Sequence, residues 1–242
     1  MNILALETTT HKSSLALQVA ERRFVSEGPG GRGQTQWLLP AIDQLLAEHG
    51  LTLAELDALA YSQGPGSFTG LRAGVSVLQA FSYVHELPVF GFSSLLAYAH
   101  QAAVQERFST DALMDVWVCV DAKMGEVFFA HYQYQNGQFT AQQDDGLLSP
   151  EQTAHWVQTQ RSEREDGEEK LPLLIGDGWL LPELTHAQQV GRWIDCTPGA
   201  EVLLSLAQQC LDSGEPCQRA EQVSPVYLRG KDAWKTIDQQ GR

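Results

Sequence analysis

The sequence predicts an α/β protein whose two halves repeat the same order of elements. The chain opens with two apolar segments, "NILALETTT" and "KSSLALQVA", that read as strands joined by a polar turn. The pattern restarts after Glu106, where "DVWVCVD" and "EVFFAHYQY" flank another polar turn. In each half an acidic residue, Glu7 or Asp121, stands near the end of the first strand, and three strands lead into a helix. This order indicates an internal duplication; a chance similarity between two β-meanders is the alternative.

The first half alternates strands and helices after its opening meander. "RRFVSEG" is a third strand, and the apolar spacing of "QTQWLLPAIDQLLAEHG" predicts a helix that stops at Gly50. "ALAYS" and "LPVFGF" are short strands, each followed by a helix. We expect these helices over "SFTGLRAGVSVLQAFSYVHE" and over "SSLLAYAHQAAVQE", the latter capped by Ser93 or Ser94.

The second half repeats this order with a longer polar stretch. We expect a helix over "SPEQTAHWVQTQ" that begins at Pro150, a strand in "LPLLIGDG" and a helix over "TPGAEVLLSLAQQCL". The charge run at 161–170 reads as a solvated segment. The predicted units are an N-terminal lobe (1–106), a C-terminal lobe (107–229) and a flexible tail (230–242).

Composition excludes several classes of function. The 242 residues hold 16 Lys and Arg against 30 Asp and Glu, a net charge of −14. A chain this acidic is not expected to grip a nucleic-acid backbone by itself. The four cysteines form no CxxC pair, and the histidines form neither HExxH nor HxxxH, so we predict no metal site and no cofactor. Without a signal peptide or a long apolar run, a cytoplasmic, soluble protein is expected.

The stretch "YSQGPGSFTGLRAG" at 61–74 is the motif most open to a chemical role. A Walker loop needs a lysine before its Ser or Thr, and a dinucleotide fingerprint needs GxGxxG; neither pattern is present. What remains is a tight turn at Pro65 and Gly66, with Ser67 able to cap the following helix. An anion site at that helix end is the alternative, and the turn and cap are favoured.

Two helices of the first half are apolar on more than one face. In the second helix one stripe is formed by Leu71, Val75, Leu78 and Ser82, and another by Gly70, Gly74, Val77 and Phe81. The first helix likewise carries two adjacent stripes, made of Trp37, Ala41, Leu45, Leu38, Ile42 and Leu46. Such helices are either buried on both faces in the core or meet a partner with one of them. The sequence leaves both readings open.

Glu7 and Asp121 are the acidic residues most suited to a cleft between the halves. In a duplicated α/β fold they could orient a metal-bound water or a phosphate. The alternative, which the turn chemistry favours, is that each carboxylate accepts backbone N–H groups of its own turn.

Across residues 1 to about 229, the chain resembles the TsaB (YeaZ) family. The resemblance is carried by "LALETTT", "GPGSFTGLRAG", "PVFGFSSLLAYA", "DAKMGEVFFA", "IGDG" and "PVYLR", in this order. It implies the two-lobed actin/sugar-kinase/Hsp70-like (ribonuclease-H-like) fold. Two departures from the family pattern are Glu7-Thr8-Thr9 in place of Asp-Thr-Ser, and Gln34-Thr35 in place of His-Ser or His-Ala.

The resemblance also implies a role in making threonylcarbamoyladenosine at position 37 of tRNAs that read codons beginning with A. Members of the family are non-catalytic partners of the transferase TsaD, with which they form a heterodimer that the ATPase TsaE joins. They form homodimers when isolated, and tRNA is reached only through the complex.

The family's interface helices match residues 35–49 and 67–85 of this chain. The resemblance therefore places the partner interface on Trp37, Leu38, Ala41, Leu45, Gly70, Leu71, Gly74, Val75 and Leu78. On this basis, Gly74→Arg or Leu78→Asp should abolish binding and leave the fold intact. Glu7, Thr8, Thr9 and Asp121 are assigned to a vestigial cleft.

Two enzymatic alternatives remain at this stage. A small-molecule kinase or nucleotide hydrolase of the same fold would keep an ATP cleft and turn over nucleotide. A peptidase is the other alternative, and the chain offers neither a metal pair nor a GxSxG elbow for it.

Overall fold

The computed structural model describes residues 1–163 and 171–229. The predicted tail at 230–242 and most of the charge run at 161–170 lie outside the described residues. The chain forms two mixed β-sheets with helices between them and on both outer faces.

The first sheet begins with an antiparallel meander of β1 (Asn2–Glu7), β2 (Lys12–Val19) and β3 (Arg22–Pro29). β4 (Ala58–Gly64) then pairs parallel to β1, and β5 (Val89–Ser93) pairs parallel to β4. The strand order is therefore β3-β2-β1-β4-β5. Because parallel strands need crossover connections, one helix lies between β3 and β4, a second between β4 and β5, and a third follows β5.

The three helices of the first half are α1 (Gln34–Glu48), α2 (Phe68–His85) and α3 (Ser94–Glu106). Ser67 caps α2 by accepting the N–H of Gly70 at 3.3 Å. Ser93 caps α3 by accepting the N–H groups of Leu95 and Leu96 at 3.1 and 3.3 Å. Both caps match the prediction, because a serine side chain satisfies donors that the first helical turn leaves unpaired.

The second sheet repeats the meander with β6 (Met114–Lys123), β7 (Glu126–Gln135) and β8 (Gln138–Ala141). A short strand, β9 (Gly146–Leu148), also pairs with β7. β10 (Leu173–Ile175) runs parallel to β6 and β11 (Arg192–Ile194) parallel to β10. The helices are α4 (Pro150–Glu163) and α5 (Ala200–Ser213). In the described part of the chain, no helix has the length and apolar character needed to cross a bilayer.

The two sheets confirm the internal duplication. The order β8-β7-β6-β10-β11 repeats the order β3-β2-β1-β4-β5, with α1 and α4 in matching places and α3 and α5 after the last strand of each half. The counterpart of α2 is reduced to two 3₁₀ segments, Asp177–Leu180 and Pro182–Gln189. This is the two-lobed actin/sugar-kinase/Hsp70-like (ribonuclease-H-like) fold.

The alternating side chains of β1 explain how the first sheet is buried on both faces. Leu4 and Leu6 point to one face and pack with α1 and α2, whereas Ile3 and Ala5 point to the other and pack with α5. Successive residues of a strand face opposite sides, so a strand that is apolar throughout requires two covering layers. α1 and α2 thus form an outer layer of the molecule.

The middle layer consists of α3 and α5, which lie between the two sheets. α5 packs on the first sheet although it comes from the second half of the chain. α3 places Leu95 and Tyr98 against Val116 and Val118 of the second sheet. The far face of the second sheet, with Trp117, is covered by α4 and the 3₁₀ segments.

The final described segment, 223–229, runs across both lobes and is called the strap. Its Val226 N–H donates to the carbonyl of Gln63 at 2.7 Å, at the end of β4. Its Arg229 donates to the carbonyls of Ala122 and Lys123 at 3.2 and 3.1 Å, in the β6–β7 turn. The "PVYLR" motif therefore joins the first sheet to the second.

Shortening a buried side chain of α5 tests whether this helix of the second half packs on the first sheet. Leu203 is fully buried against the first sheet, so Leu203→Ala should lower the free energy of unfolding by about 2–5 kcal/mol in urea titrations. Gln209→Ala, on the exposed face of the same helix, should change it by less than about 0.5 kcal/mol. Equal effects of the two substitutions would contradict this packing.

Candidate functional site

The glycine motif forms a turn and a helix start, and its polar groups are used within the chain. The N–H of Ser67 donates to the carbonyl of Thr9 at 2.8 Å, and the N–H of Leu71 donates to the carbonyl of Ser67 at 2.8 Å. The N–H of Gly70 is taken by the Ser67 side chain. Three of the N–H groups at this helix start are thus bonded within the chain and not turned to a ligand, as the turn-and-cap interpretation expects.

Close packing of α2 on the β1–β2 turn explains two of the glycines. A Cβ atom at Gly70 would lie 1.8 Å from the carbonyl oxygen of Thr8, and one at Gly74 would lie 2.7 Å from the Thr8 Oγ1. Gln34 closes the same contact by donating its Nε2 to the Thr8 carbonyl at 3.0 Å. Any larger residue at Gly70 would push the helix away from the turn.

Glu7 is fully buried beneath this turn. One carboxylate oxygen accepts the N–H and the Oγ1–H of Thr9, each at 2.6 Å, and the other accepts the hydroxyl of Ser62. Burial raises the pKa of Glu7, although the hydrogen bonds from Ser62 and Thr9 lower it. Thr8 and Thr9 are also buried, so the first part of the predicted cleft is packed shut.

Asp121 belongs to a separate network near the end of β6. Its carboxylate accepts the backbone N–H of Lys123 at 2.7 Å and the Lys123 Nζ at 2.6 Å. Partial burial opposes ionisation, but these bonds and the lysine charge hold the pKa of Asp121 below its ordinary value. Both acidic residues thus act as turn carboxylates, and their hydrogen-bond networks share no residue.

The sequence interpretation missed Asp177, which accepts the Asp121 N–H at 2.9 Å. Asp177 follows Gly176, whose backbone lies close to Cys119. The "IGDG" motif is thus the second-half counterpart of the glycine motif after β4, a signal that the duplication offers. Within residues 1–163 and 171–229, no three or more His, Cys, Asp or Glu residues are grouped as metal ligands.

The structure packs the residues predicted for the interface within the chain itself, and all but Trp37 are buried. Leu38, Leu71 and Leu78 are at most 1% exposed, since α1 and α2 use these sides to cover the first sheet. Trp37 is half-buried against Gly28 of β3. The other residues predicted for the interface are also buried: Ala41, Leu45, Gly70, Gly74 and Val75. Gly74→Arg and Leu78→Asp would therefore damage the core and cannot serve as tests of binding.

The outer sides of the same helices form a groove of about 450 Å³. We call it the α1–α2 groove; of the predicted residues, only Leu38 lies on its lining, at the floor. The full lining is Thr35, Leu38, Leu39, Phe68, Thr69, Arg72, Ala73, Ser76 and Val77. Arg72 is the charged member of this set, so the groove is otherwise made of small, apolar and hydroxyl side chains.

An exposed apolar strip continues the groove along α2. Tyr83 and Val84 are 73% and 69% exposed, and Leu39 on α1 is 47% exposed. On α2 the exposed positions Thr69, Ser76 and Ala80 recur at helical spacing with them. The sequence signal for this face is that α2 holds no acidic residue even at its exposed positions. The inward face is marked by the glycines that approach Thr8.

Substitutions at the glycines test the close packing of α2. Gly70→Ala should destabilise the protein by about 1–3 kcal/mol, because the new methyl meets a backbone carbonyl, even though alanine favours helix. In Gly74→Ala the new methyl group meets only the side chain of Thr8. The loss of unfolding free energy should therefore be smaller when Thr8 is also replaced by alanine. Urea titrations of the single and double variants measure both effects. A cost at Gly74 that is the same in both backgrounds would argue against the Thr8 contact.

The burial of Glu7 predicts a particular pH dependence. Its folded-state pKa lies above the unfolded value, so its contribution to stability is present at low pH and is lost as the pH rises through the folded pKa. Glu7→Gln removes this titration. The unfolding free energy of Glu7→Gln relative to the unsubstituted protein should therefore increase from about pH 4 to about pH 8.

Glu55→Gln is the control of opposite sign. Hydrogen bonds from Thr52 lower the pKa of Glu55, so this carboxylate stabilises the fold above its unfolded pKa and the effect is lost in acid. Glu55→Gln should therefore lose relative stability as the pH rises. Relative stabilities of the two variants that move in the same direction with pH would contradict the assignment.

Comparison with known proteins places these features in a family. Residues 26–174 match the family model described as "TsaD: tRNA N6-adenosine threonylcarbamoyltransferase". The protein from Escherichia coli strain K12 described as "tRNA threonylcarbamoyladenosine biosynthesis protein TsaB" is 33% identical over 98% of each chain. A Haemophilus influenzae protein with the same description is 32% identical over 98% of this chain and 97% of its own length.

Solved structures agree with the sequence relatives. "YeaZ from Pseudomonas aeruginosa" aligns with a TM-score of 0.74 at 30% identity, over 94% of this chain and 99% of that chain. A second structure from the same organism, described as a protein with similarity to peptidase YEAZ, gives a TM-score of 0.77 at 32% identity and the same coverage. This chain, with its duplicated fold and its α1–α2 groove, belongs to the TsaB (YeaZ) family.

Proposed function

We propose that this chain is a non-catalytic subunit that docks a TsaD-type transferase through the α1–α2 groove. The complex would form threonylcarbamoyladenosine at position 37 of tRNAs that read codons beginning with A, with TsaE as a further partner. The relatives described as biosynthesis proteins of this modification support the pathway. The match of residues 26–174 to the TsaD model supports a partner of related fold.

The observation that carries the proposal is the exposed, mostly apolar groove between α1 and α2, in which Arg72 is the charged residue of the lining. Soluble proteins rarely expose a contiguous apolar patch without a function for it. Leu39, Val77 and Tyr83 supply apolar and aromatic area of the kind enriched at the centre of interfaces. A second copy of the chain would bind the same face when the partner is absent, which accounts for the proposed homodimer.

A supporting role, rather than catalysis, fits the packing around Glu7. In a fold that handles nucleotides, the turn after β1 and the helix start after β4 would face a phosphate. Here the Thr9 carbonyl is bonded to the N–H of Ser67, and Gly70 packs against Thr8. The net charge of −14 likewise favours contact with tRNA through a partner.

Reconstituted tRNA threonylcarbamoylation tests the proposal. Product is expected with TsaD, TsaE, threonylcarbamoyl-AMP and ATP when this chain is present, and little or none when it is omitted. Equal product without the chain would refute the subunit role. Tight ATP binding with turnover by the isolated chain would instead favour the kinase or hydrolase alternative.

A charge placed in the groove should separate binding from folding. Ser76→Arg puts a long cation at an exposed lining position, and we expect the Kd for TsaD to rise at least about 30-fold. The thermal midpoint should stay within a few degrees, because Ser76 lies outside the core. The homodimer should weaken with it, which sedimentation can measure.

Gln44→Arg is the matched control for this substitution. Gln44 is exposed on α1 but is not part of the groove lining, so binding should change less than about threefold. Loss of binding in both variants would place the interface elsewhere on the helices or attribute the loss to charge alone.

A further inference from the structure

Arg72 is the charged side chain of the α1–α2 groove, and its guanidinium is held in a defined position. Its Cζ lies 3.8 Å from the centroid of the Phe68 ring. Its Nε donates to the hydroxyl of Tyr227 at 3.2 Å. The rings of Phe68 and Tyr227 are themselves in contact, with centroids 5.3 Å apart. Stacking and hydrogen bonding together limit the freedom of a side chain that is otherwise exposed.

The hydrogen-bonding ends of Arg72 remain open on the groove side. Tyr227 takes the Nε, and Phe68 covers one face of the guanidinium plane. Among residues 1–163 and 171–229, no carboxylate lies within 4.0 Å of Arg72, and its Nη1 and Nη2 atoms make no hydrogen bond. The two terminal nitrogens thus form an unused donor pair.

Docking would make this donor pair costly unless the partner supplied an acceptor. The rest of the lining consists of apolar and hydroxyl side chains and holds no carboxylate that could neutralise the arginine. A partner seated in the groove excludes water, and an unpaired buried charge is strongly destabilising. A partner that binds well must therefore place an anionic group next to Arg72.

We propose, on the basis of the proposed function, that Arg72 determines partner specificity by binding a carboxylate in the partner's docking face. The Nη1 and Nη2 donors match the two oxygens of an Asp or Glu side chain. Tyr227, in the strap, is a positioning residue, because its hydroxyl fixes the orientation of the guanidinium group. Phe68 supports that group by stacking on its planar face. A face without a carboxylate at that point, such as the groove of a second copy, would bind more weakly.

Binding of TsaD to arginine variants tests the proposal. Arg72→Ala should raise the Kd at least about 30-fold, as expected for truncation of one member of a buried charge pair. Arg72→Lys should recover only part of the affinity, because an ammonium lacks the planar fork. Arg22→Ala, which removes an equal charge from an exposed position on β3, should leave the Kd unchanged.

The dependence of binding on salt identifies the acceptor. With a carboxylate as the ligand, raising the NaCl concentration should weaken binding more for the unsubstituted chain than for Arg72→Ala. Identical salt dependence in the two proteins would mean that Arg72 meets a neutral acceptor such as a carbonyl. That outcome would overturn the proposed carboxylate.

Tyr227→Phe isolates the positioning role, because it removes the hydroxyl and keeps the ring. It should weaken binding about threefold to tenfold in the unsubstituted chain, in line with the loss of one hydrogen bond. It should have no effect in the Arg72→Ala background. Equal losses in both backgrounds would show that Tyr227 acts on its own and refute the positioning role.

The outcomes distinguish this inference from the function on which it rests. If the unsubstituted chain fails to bind TsaD, the proposed function fails and the carboxylate contact with it. If the unsubstituted chain binds and Arg72→Ala binds equally well, the subunit role stands and Arg72 does not determine specificity. Thermal unfolding of each variant shows whether a loss of binding reflects a loss of fold.

Discussion

The contact between the start of α2 and the β1–β2 turn constrains the rest of the first lobe. Gly70 and Gly74 bring the helix backbone against Thr8, so the helix lies as close to the sheet as a backbone can. The contact also fixes the rotation of α2 about its axis, because only the glycine side fits the turn. The groove on the opposite side is a consequence of that rotation.

Burial of Glu7 follows from the same contact. Thr8 and Thr9 cover the carboxylate, and its oxygens are occupied by Thr9 and Ser62. A residue that the sequence places at a cleft is thereby converted into a structural support for the turn. Asp121 performs the corresponding task in the second half with Lys123, but it stays closer to the surface. Both halves of the duplicated fold thus have a carboxylate in this turn, fully buried as Glu7 in the first half and partly exposed as Asp121 in the second.

The order of elements could be predicted from the sequence, because each strand and helix carries its own periodicity and caps. Ser67, Ser93 and Pro150 marked helix starts at the right places. The short strand Arg192–Ile194 could not be predicted, because three residues are too few to show the alternating pattern of a strand. The orientation of α1 and α2 could not be predicted either. The structure buries residues of both apolar stripes, and the outward face consists of other positions, such as Leu39 and Ser76. The strap contact between Tyr227 and Arg72 joins residues 155 positions apart, and no local signal encodes it.

The strap also has a mechanical consequence. Val226 is bonded to the end of β4, and three residues later Arg229 is bonded to the β6–β7 turn, so a short length of backbone tethers the two sheets. Folds of two lobes commonly open and close as rigid bodies about a hinge. Here an opening rotation would have to break the Arg229 hydrogen bonds or pull Val226 from β4. The tether therefore limits the amplitude of that rotation and holds the outer helices at a fixed angle to the second lobe.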